Sequence, residues 1–472
     1  MSIRIQPAEI EIPKDDLFKN DLLEREEPIK VLTHLLKSVD GNCVLAVDAS
    51  WGEGKSTFLR LWAQYMRNDN FPVIEINAWE SDFSNDPFLM LSTELTEGFK
   101  ESREGATAVI IDKVNHLTND MLRYTATTAV RMLTSGIIDI DSFIEKQFSS
   151  YKESKDLIKK FKEKLEEMTA VISKGNDGNP LVIMIDELDR CRPSYAVGLL
   201  EAAKHLFSVH GIIFVLAINR MQLSHSIKAL YGGDFDALGY LQRFVDIDFQ
   251  LPFPKREKYI ENILALTKYP DYFDRTFDKN AKRQFPDIKE FLINIFENTQ
   301  LSIRQISQAL HRFGLVLGSL KSNESAYAYS VVIAIFLRSI NTEIYHSFVR
   351  GEITDLKVVD EISKSHRIKN LLEIRNGYFL EALLIEGAKE IKEKAETYQE
   401  TNTISYESSL LGRYQELINS TAATSEKVLK RAEGVIEYVK HFHINPRFHI
   451  GFLCSTQRIE LLAPELTESE NH

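Results

Sequence analysis

The chain has 472 residues, of which 44% are hydrophobic and 27% are charged. These values are typical of a globular protein with two or three domains and argue against long disorder. The formal net charge of −12 argues against nucleic acid as the main partner, although a local basic groove stays possible. The three scattered cysteines predict neither a disulfide framework nor a zinc site, which favours a reducing, cytoplasmic setting. We find no secretory pattern at the N-terminus and no apolar stretch of roughly 20 residues that could span a membrane.

The first half of the chain predicts buried strands that alternate with helices. An amphipathic stretch runs to about Asp40, and the segment Cys43–Ser50 predicts a buried strand that runs into a loop. The pattern KSTFLRLWAQYM, Lys55–Met66, predicts a helix. Four further apolar segments are strand candidates: PVIEINA at 72–78, LVIMI at 181–185, IIFVLAI at 212–218 and FVDIDFQL at 244–251. We therefore expect an α/β fold with a mainly parallel five-stranded sheet and helices on both faces.

The domain organisation follows from where strand patterns stop. We predict a core of alternating strands and helices at residues 1–254, with a helical insertion at about 80–180 that ends in the turn cluster GNDGNP. Beyond residue 254 nearly every segment is helical in pattern. Pattern breaks divide this part into a small helical lid domain at 255–320 and a C-terminal helical domain at 321–472.

A phosphate-binding loop is predicted between the first strand and the first core helix. Residues 49–56, A-S-W-G-E-G-K-S, match the pattern G-x-x-x-x-G-K-[ST] except that Ala49 replaces glycine. A chance match is the alternative, but a strand before the motif and a helix after it disfavour that. Backbone N–H groups of such a loop surround phosphates, while the lysine reaches the β- and γ-phosphates. The predicted nucleotide-binding residues are Ser50, Trp51, Gly52, Glu53, Gly54, Lys55, Ser56 and Thr57.

An acidic pair follows the third strand candidate, in LVIMIDELDRCRP. Asp186 is predicted to hold Mg²⁺ together with the Ser56 hydroxyl. Glu187 is predicted to polarise the attacking water as a general base, which favours hydrolysis over nucleotide sensing. An exposed acidic turn after a strand is the alternative, and the upstream loop weighs against it.

These motifs resemble those of the KAP family of P-loop NTPases, within the larger STAND and AAA-like assemblage. The family pattern W-G-x-G-K-[ST] is matched at residues 51–56, D-[DE]-L-D-R-C at 186–191, and N-x-W at 77–79. The resemblance covers about residues 15–315. Many members carry transmembrane helices between the P-loop and the acidic strand. The helical insertion fills that place here, so the chain resembles a soluble branch of the family.

The resemblance implies three further catalytic candidates. Asn219, after the fourth strand candidate, would contact the γ-phosphate or the water, unless it only forms a turn. Arg243 would act as an arginine finger towards a neighbouring subunit, unless it forms a surface salt bridge. Arg304, at the start of a lid helix, would reach the γ-phosphate and connect nucleotide state to domain angle.

We therefore expect a Mg²⁺-dependent ATPase that changes conformation or assembles as a homo-oligomer. The absence of an N-K-x-D motif favours ATP over GTP. The resemblance suggests control of a protein partner encoded nearby, in bacterial defence against phage or plasmids. A nucleotide-gated scaffold with little hydrolysis remains an alternative. A motor stimulated by nucleic acid is a second alternative, which the acidic charge disfavours.

Overall fold

The chain is described by a computed structural model over residues 12–13, 16–83, 87–101, 159–174, 176–253, 255–266, 279–319, 328–397, 409–420 and 425–444, with single positions at 112, 116, 119, 452, 455, 456 and 459. The chain divides into two compact units, Ile10–Phe253 and the part from Pro254 onward. Most of the predicted insertion lies outside the described residues, and so does the predicted boundary near residue 320.

The first unit is built on a five-stranded sheet with the order β2-β3-β4-β1-β5, in which every neighbouring pair is parallel. The strands are β1 Cys43–Asp48, β2 Val73–Asn77, β3 Leu181–Asp186, β4 Ile212–Ile218 and β5 Ile247–Gln250. The predicted mainly parallel sheet is confirmed. β1 therefore lies between β4 and β5, one strand away from β3.

Helices cover both faces of the sheet because its central strands are apolar on both sides. Alternate residues of β1 go to opposite faces. Val44 and Ala46 pack in one buried cluster, and Leu45 and Val47 pack in the other. The helices of this unit are α1 Glu26–Lys37, α2 Lys55–Asn68, α3 Pro87–Glu101, α4 at residues 159–174, α5 Pro193–Leu206, α6 Arg220–Tyr231 and α7 Ala237–Leu241.

The last strand is shorter than the sequence predicts. Residues Gln242–Phe244 form a 3₁₀ turn, and the strand begins only at Ile247. Phe244 is buried in the cluster on one face of the sheet, and its ring lies 5.1 Å from that of Tyr240 in α7. Phe244 thus belongs to the alternating pattern in the sequence, but it is buried as part of a turn and not as part of the strand.

The second unit is entirely helical in its described part. Its helices are α8 Arg256–Leu266, α9 Lys279–Glu297, α10 Ile303–Gly318, α11 Ala328–Ile340, α12 Thr342–Val349, α13 Asp355–Ile362, α14 His366–Leu371, α15 Arg375–Thr397, α16 Leu410–Asn419 and α17 Glu426–Ile444. Helices α9 and α10, from the predicted lid, pack against α11 of the predicted C-terminal domain. Among the described residues, no helix is both long and apolar enough to cross a membrane.

A buried ionic cluster joins three helices of this second unit. Glu381 of α15 is 0% exposed, and the Arg431 guanidinium of α17 donates to both of its carboxylate oxygens. The Tyr414 hydroxyl of α16 lies 3.0 Å from both oxygens. Burial raises the pKa of Glu381, and Arg431 opposes that shift. Because a buried charge without its partner is costly, the cluster fixes how α15, α16 and α17 meet.

Candidate nucleotide-binding site

The candidate site lies at the carboxyl edge of the sheet. Asp48 is the last residue of β1 and Asp186 the last of β3, and Asn219 follows β4 directly. These three strands are neighbours and parallel, so their carboxyl ends meet at one edge. Open α/β sheets bind ligands at that edge. The phosphate loop leaves β1 at the same place.

The loop backbone has the shape that its glycines permit. Gly52 and Gly54 have φ values of +83° and +86°, in the left-handed region that favours glycine. Ala49 is not among the described residues with positive φ; its N–H donates to Ile218 O at 3.2 Å. An alanine therefore fits the first position, because that position does not need glycine's freedom. Gly54 is the N-cap of α2, so the helix amino end faces the loop.

Lys55 lies at the centre of a group of carboxylates. Its ammonium donates to Ala49 O at 2.6 Å and lies 3.7 Å from Asp189 Oδ2. Burial lowers the pKa of Lys55, while Asp189, Asp186 and Asp48, in decreasing order, raise it. Asp186 thus acts on the Lys55 ammonium electrostatically. The three carboxylates together favour the charged ammonium, which is the form that attracts a polyphosphate.

Glu187 has a constrained backbone and a charged partner. Its φ is +61°, unusual for a residue with a side chain, and Arg190 Nη1 lies 2.6 Å from its Oε1. Burial raises the pKa of Glu187. Arg190 lowers it, Asp186 raises it, and a hydrogen bond with the Asn77 side chain lowers it. The strained turn and the ion pair together fix the carboxylate beside the end of β3.

The ion pair predicts a pH effect. We expect Arg190→Gln to raise the pKa of Glu187, because Arg190 lowers that pKa. A general base acts in its ionised form, so the acidic limb of the pH profile of kcat should move to higher pH. Arg192→Gln is the matched control, since Arg192 bonds to Asp82, with Nε 2.9 Å from Oδ1. A profile that moves equally in both variants would contradict this origin of the shift.

The predicted metal ligands suit Mg²⁺ by their chemistry. Ser56 is the second residue of α2 and partly buried, and Asp186 Oδ1 accepts a hydrogen bond from the Glu187 N–H at 2.8 Å. A hydroxyl and a carboxylate are hard oxygen donors, which Mg²⁺ prefers in combination with phosphate oxygens and waters. Ser56 follows Lys55 in the chain, and Asp186 raises the pKa of Lys55. The residues therefore fit the ion.

Three predicted catalytic residues have different surroundings. The Asn219 side chain accepts the N–H of Gln222 and thus caps α6, as in the turn-forming alternative, and its own N–H donates to Asp189 Oδ2. Arg243 is exposed in the 3₁₀ turn before β5. Arg304 is exposed in the first turn of α10, in the second unit. The phosphate-contacting roles of all three remain predictions.

Sequence reasoning missed Arg25, which joins the segment before α1 to the phosphate loop. Its side chain is 1% exposed, and Nη2 donates to Glu53 O at 3.0 Å while Nη1 donates to Pro252 O at 2.6 Å. Leu23 packs on the same loop, since a Cβ on Gly54 would lie 2.7 Å from Leu23 Cδ1. Arg25 lies in the charged run E-R-E-E, which gave no sign of a buried residue.

Cys191 is a core residue rather than a nucleophile. Burial, and then the nearby carboxylates led by Asp82, raise the pKa of its thiol to about 12. The thiol stays protonated at neutral pH and packs with the residues on one face of the sheet.

Comparison with known proteins identifies a family. The model of the KAP family P-loop domain matches residues 25–318. Two solved structures of the Aeropyrum pernix ORC2 protein are also similar. The structure of its ADPNP-ADP complexes is 12% identical in sequence to this chain. The match covers 89% of this chain and 94% of that one, with a TM-score of 0.32. The ADP form is 11% identical in sequence. The match covers 97% of this chain and 96% of that one, with a TM-score of 0.34. No curated protein matches the sequence significantly.

Proposed function

Because the chain belongs to the KAP family of P-loop domains, we propose that it is an ATPase that uses Mg²⁺. The observation that carries the proposal is geometric: Asp186 ends β3 and Glu187 follows it, at the sheet edge where the loop that contains Lys55 leaves β1. A loop that only binds nucleotide would need Lys55 but not the Asp186–Glu187 pair. A carboxylate placed beside the metal-ligand candidate adds a group that can accept a proton from water.

Each residue has a defined task in this proposal. The loop N–H groups and the amino end of α2 bind the phosphates, and Lys55 neutralises charge on the β- and γ-phosphates. Ser56 and Asp186 would hold Mg²⁺, which, when bound, neutralises charge that develops on the phosphates. Glu187 orients the attacking water and takes its proton. Asn219, Arg243 and Arg304 are proposed to contact the γ-phosphate or its surroundings.

We propose that the output is a change of conformation or of oligomeric state that controls a protein partner. We propose that the partner binds the second unit, which is helical in its described part. Bacterial defence against phage or plasmids, in the cytoplasm, is the proposed setting and rests on the family resemblance alone. Protection of a bacterial host against phage, measured with wild type and Lys55→Ala, tests it. Equal protection by both proteins would reject that setting.

Lys55→Ala tests nucleotide binding itself. We expect ATP and ADP to bind about 10- to 100-fold more weakly, because a charge-assisted contact to phosphate is lost. Calorimetric titration of the purified full chain, with and without Mg²⁺, measures this. Lys37→Ala is a suitable control, since Lys37 pairs with Asp69 at the far end of α2. Unchanged affinity in Lys55→Ala would reject the phosphate loop as the binding site.

Measuring particle size and ATPase rate together separates the enzyme from the scaffold. An enzyme that assembles on ATP changes size with ATP and returns to its first size as ATP is consumed. A nucleotide-gated scaffold would bind ATP and change size without measurable turnover. A rate that rises severalfold with added DNA or RNA would instead favour the nucleic-acid-stimulated motor.

A further inference from the structure

We propose that Asp189 is a positioning residue that fixes the loop crest, defined here as residues 50–52, in the shape that binds phosphate. The inference deepens the proposed function and depends on nucleotide binding at this loop. Asp189 lies in the 3₁₀ turn Leu188–Arg190 after β3, three residues beyond Asp186. It is 6% exposed, so its carboxylate requires partners inside the protein.

Three elements of the site meet at the Asp189 carboxylate. Its Oδ2 accepts the indole N–H of Trp51 at 2.8 Å and the backbone N–H of Asn219 at 2.7 Å. The Lys55 ammonium lies 3.7 Å from the same oxygen. The loop crest, the end of β4 and the start of α2 are therefore joined by one buried oxygen.

The loop gains from such an anchor because of its glycines. Gly52 and Gly54 allow the left-handed backbone, but glycine loses more conformational freedom on ordering than any other residue. Trp51 lies directly before Gly52, and its side chain is bonded even though the residue is 45% exposed. Fixing this indole orders the crest before the ligand arrives, which lowers the entropic cost of binding.

The bond from Trp51 to Asp189 favours nucleotide binding, but the negative charge of Asp189 near Lys55 opposes it. A carboxylate near the ammonium attracts the group that the phosphates also attract, so this charge by itself disfavours nucleotide. The ammonium donates to Ala49 O at 2.6 Å, and 3.7 Å from Asp189 is beyond hydrogen-bond distance. We therefore infer that the bond to Trp51 has the larger effect on binding and that the charge partly opposes it.

Two variants separate the bond from the charge. Trp51→Phe removes the indole donor and leaves the carboxylate. Asp189→Asn removes the charge and keeps an amide oxygen, so it replaces a charge-assisted bond with a weaker neutral one. Because the two variants act on the same bond, their effects on nucleotide affinity should not add.

The test is a double-mutant cycle on the full chain, with Mg²⁺-ADP titrated by calorimetry. We expect Trp51→Phe to raise Kd about 10-fold in the wild-type background. In the Asp189→Asn background the same change should raise Kd less than about threefold. KM for ATP should rise in parallel with Kd while kcat stays within about twofold, since the bond shapes the loop before chemistry.

Controls distinguish positioning from general stability and from failure of the proposed function. Trp79→Phe alters a second half-exposed tryptophan, whose ring lies 6.0 Å from Arg190, and should leave Kd unchanged. Thermal unfolding of each variant shows whether affinity and stability change together. Additive effects in the cycle, or an unchanged Kd in Trp51→Phe, would overturn the positioning role of Asp189 but leave the proposed function standing. A wild-type protein that binds no nucleotide would overturn the proposed function as well.

Discussion

Glu187→Gln is expected to keep nucleotide binding and lose turnover. The amide has nearly the shape of the carboxylate, so contacts in the turn after β3 should persist. It cannot take a proton from water, and general-base catalysis contributes about 10²- to 10⁴-fold, so kcat should fall by that factor. Affinity for ATP should stay within about threefold, because the base acts on water and not on phosphate. Phosphate release and calorimetric titration measure the two quantities.

A nearby carboxylate provides the matched control. Glu80 is exposed in the turn after β2 and accepts the Asn77 side-chain N–H at 2.8 Å. Asn77 also lowers the pKa of Glu187, so Glu80→Gln removes a negative charge near the proposed base without altering its side chain. We expect its kcat to stay within about threefold of wild type, the usual size of a surface charge effect. If Glu187→Gln hydrolyses ATP as fast as Glu80→Gln, Glu187 is not the base.

Some features of the fold and site could be predicted from local sequence. The phosphate loop is a contiguous motif, so its spacing identified Lys55 and Ser56 before any contact was known. The strands were predicted from apolar or alternating segments, and each of the five segments contains a strand of the sheet. β5 was placed too early, because Phe244 is apolar for a packing reason that periodicity cannot separate from strand alternation.

Other features depend on contacts between distant residues. Asp189 belongs to a recognised motif, but its link to Trp51 spans 138 positions and follows from the order of the strands. The pairing of Glu187 with Arg190 is local, yet it depends on the left-handed backbone at Glu187, which a glutamate does not predict. Charged side chains inside an apparent surface run, such as Arg25, give no periodic signal at all.

Arg25→Met is expected to lower both stability and nucleotide affinity. Its guanidinium donates to the backbone carbonyls of Glu53 and Pro252, which lie 28 and 227 positions away in the chain. Burial lowers the pKa of Arg25, and Asp21 and then Glu53 oppose that shift, so the charge is retained by its neighbours. Methionine fills similar space but leaves two carbonyls without their donor. Each unsatisfied buried group costs about 1–3 kcal/mol, so two of them should lower the free energy of unfolding by about 2–6 kcal/mol.

The same carbonyl contacts give Arg25 a functional consequence. Glu53 is a loop residue, so losing its contact should loosen the backbone that surrounds phosphate and weaken ADP binding in the folded protein. Arg25→Lys should have an intermediate effect, because one ammonium cannot replace a planar fork that reaches two acceptors. Arg67→Met is the control: Arg67 is 40% exposed in an ion pair with Glu75, and such pairs are worth about 0–1 kcal/mol. Urea unfolding and ADP titration of the three variants measure both effects. Equal stability of Arg25→Met and Arg67→Met would mean that the buried guanidinium does not connect this segment to the loop.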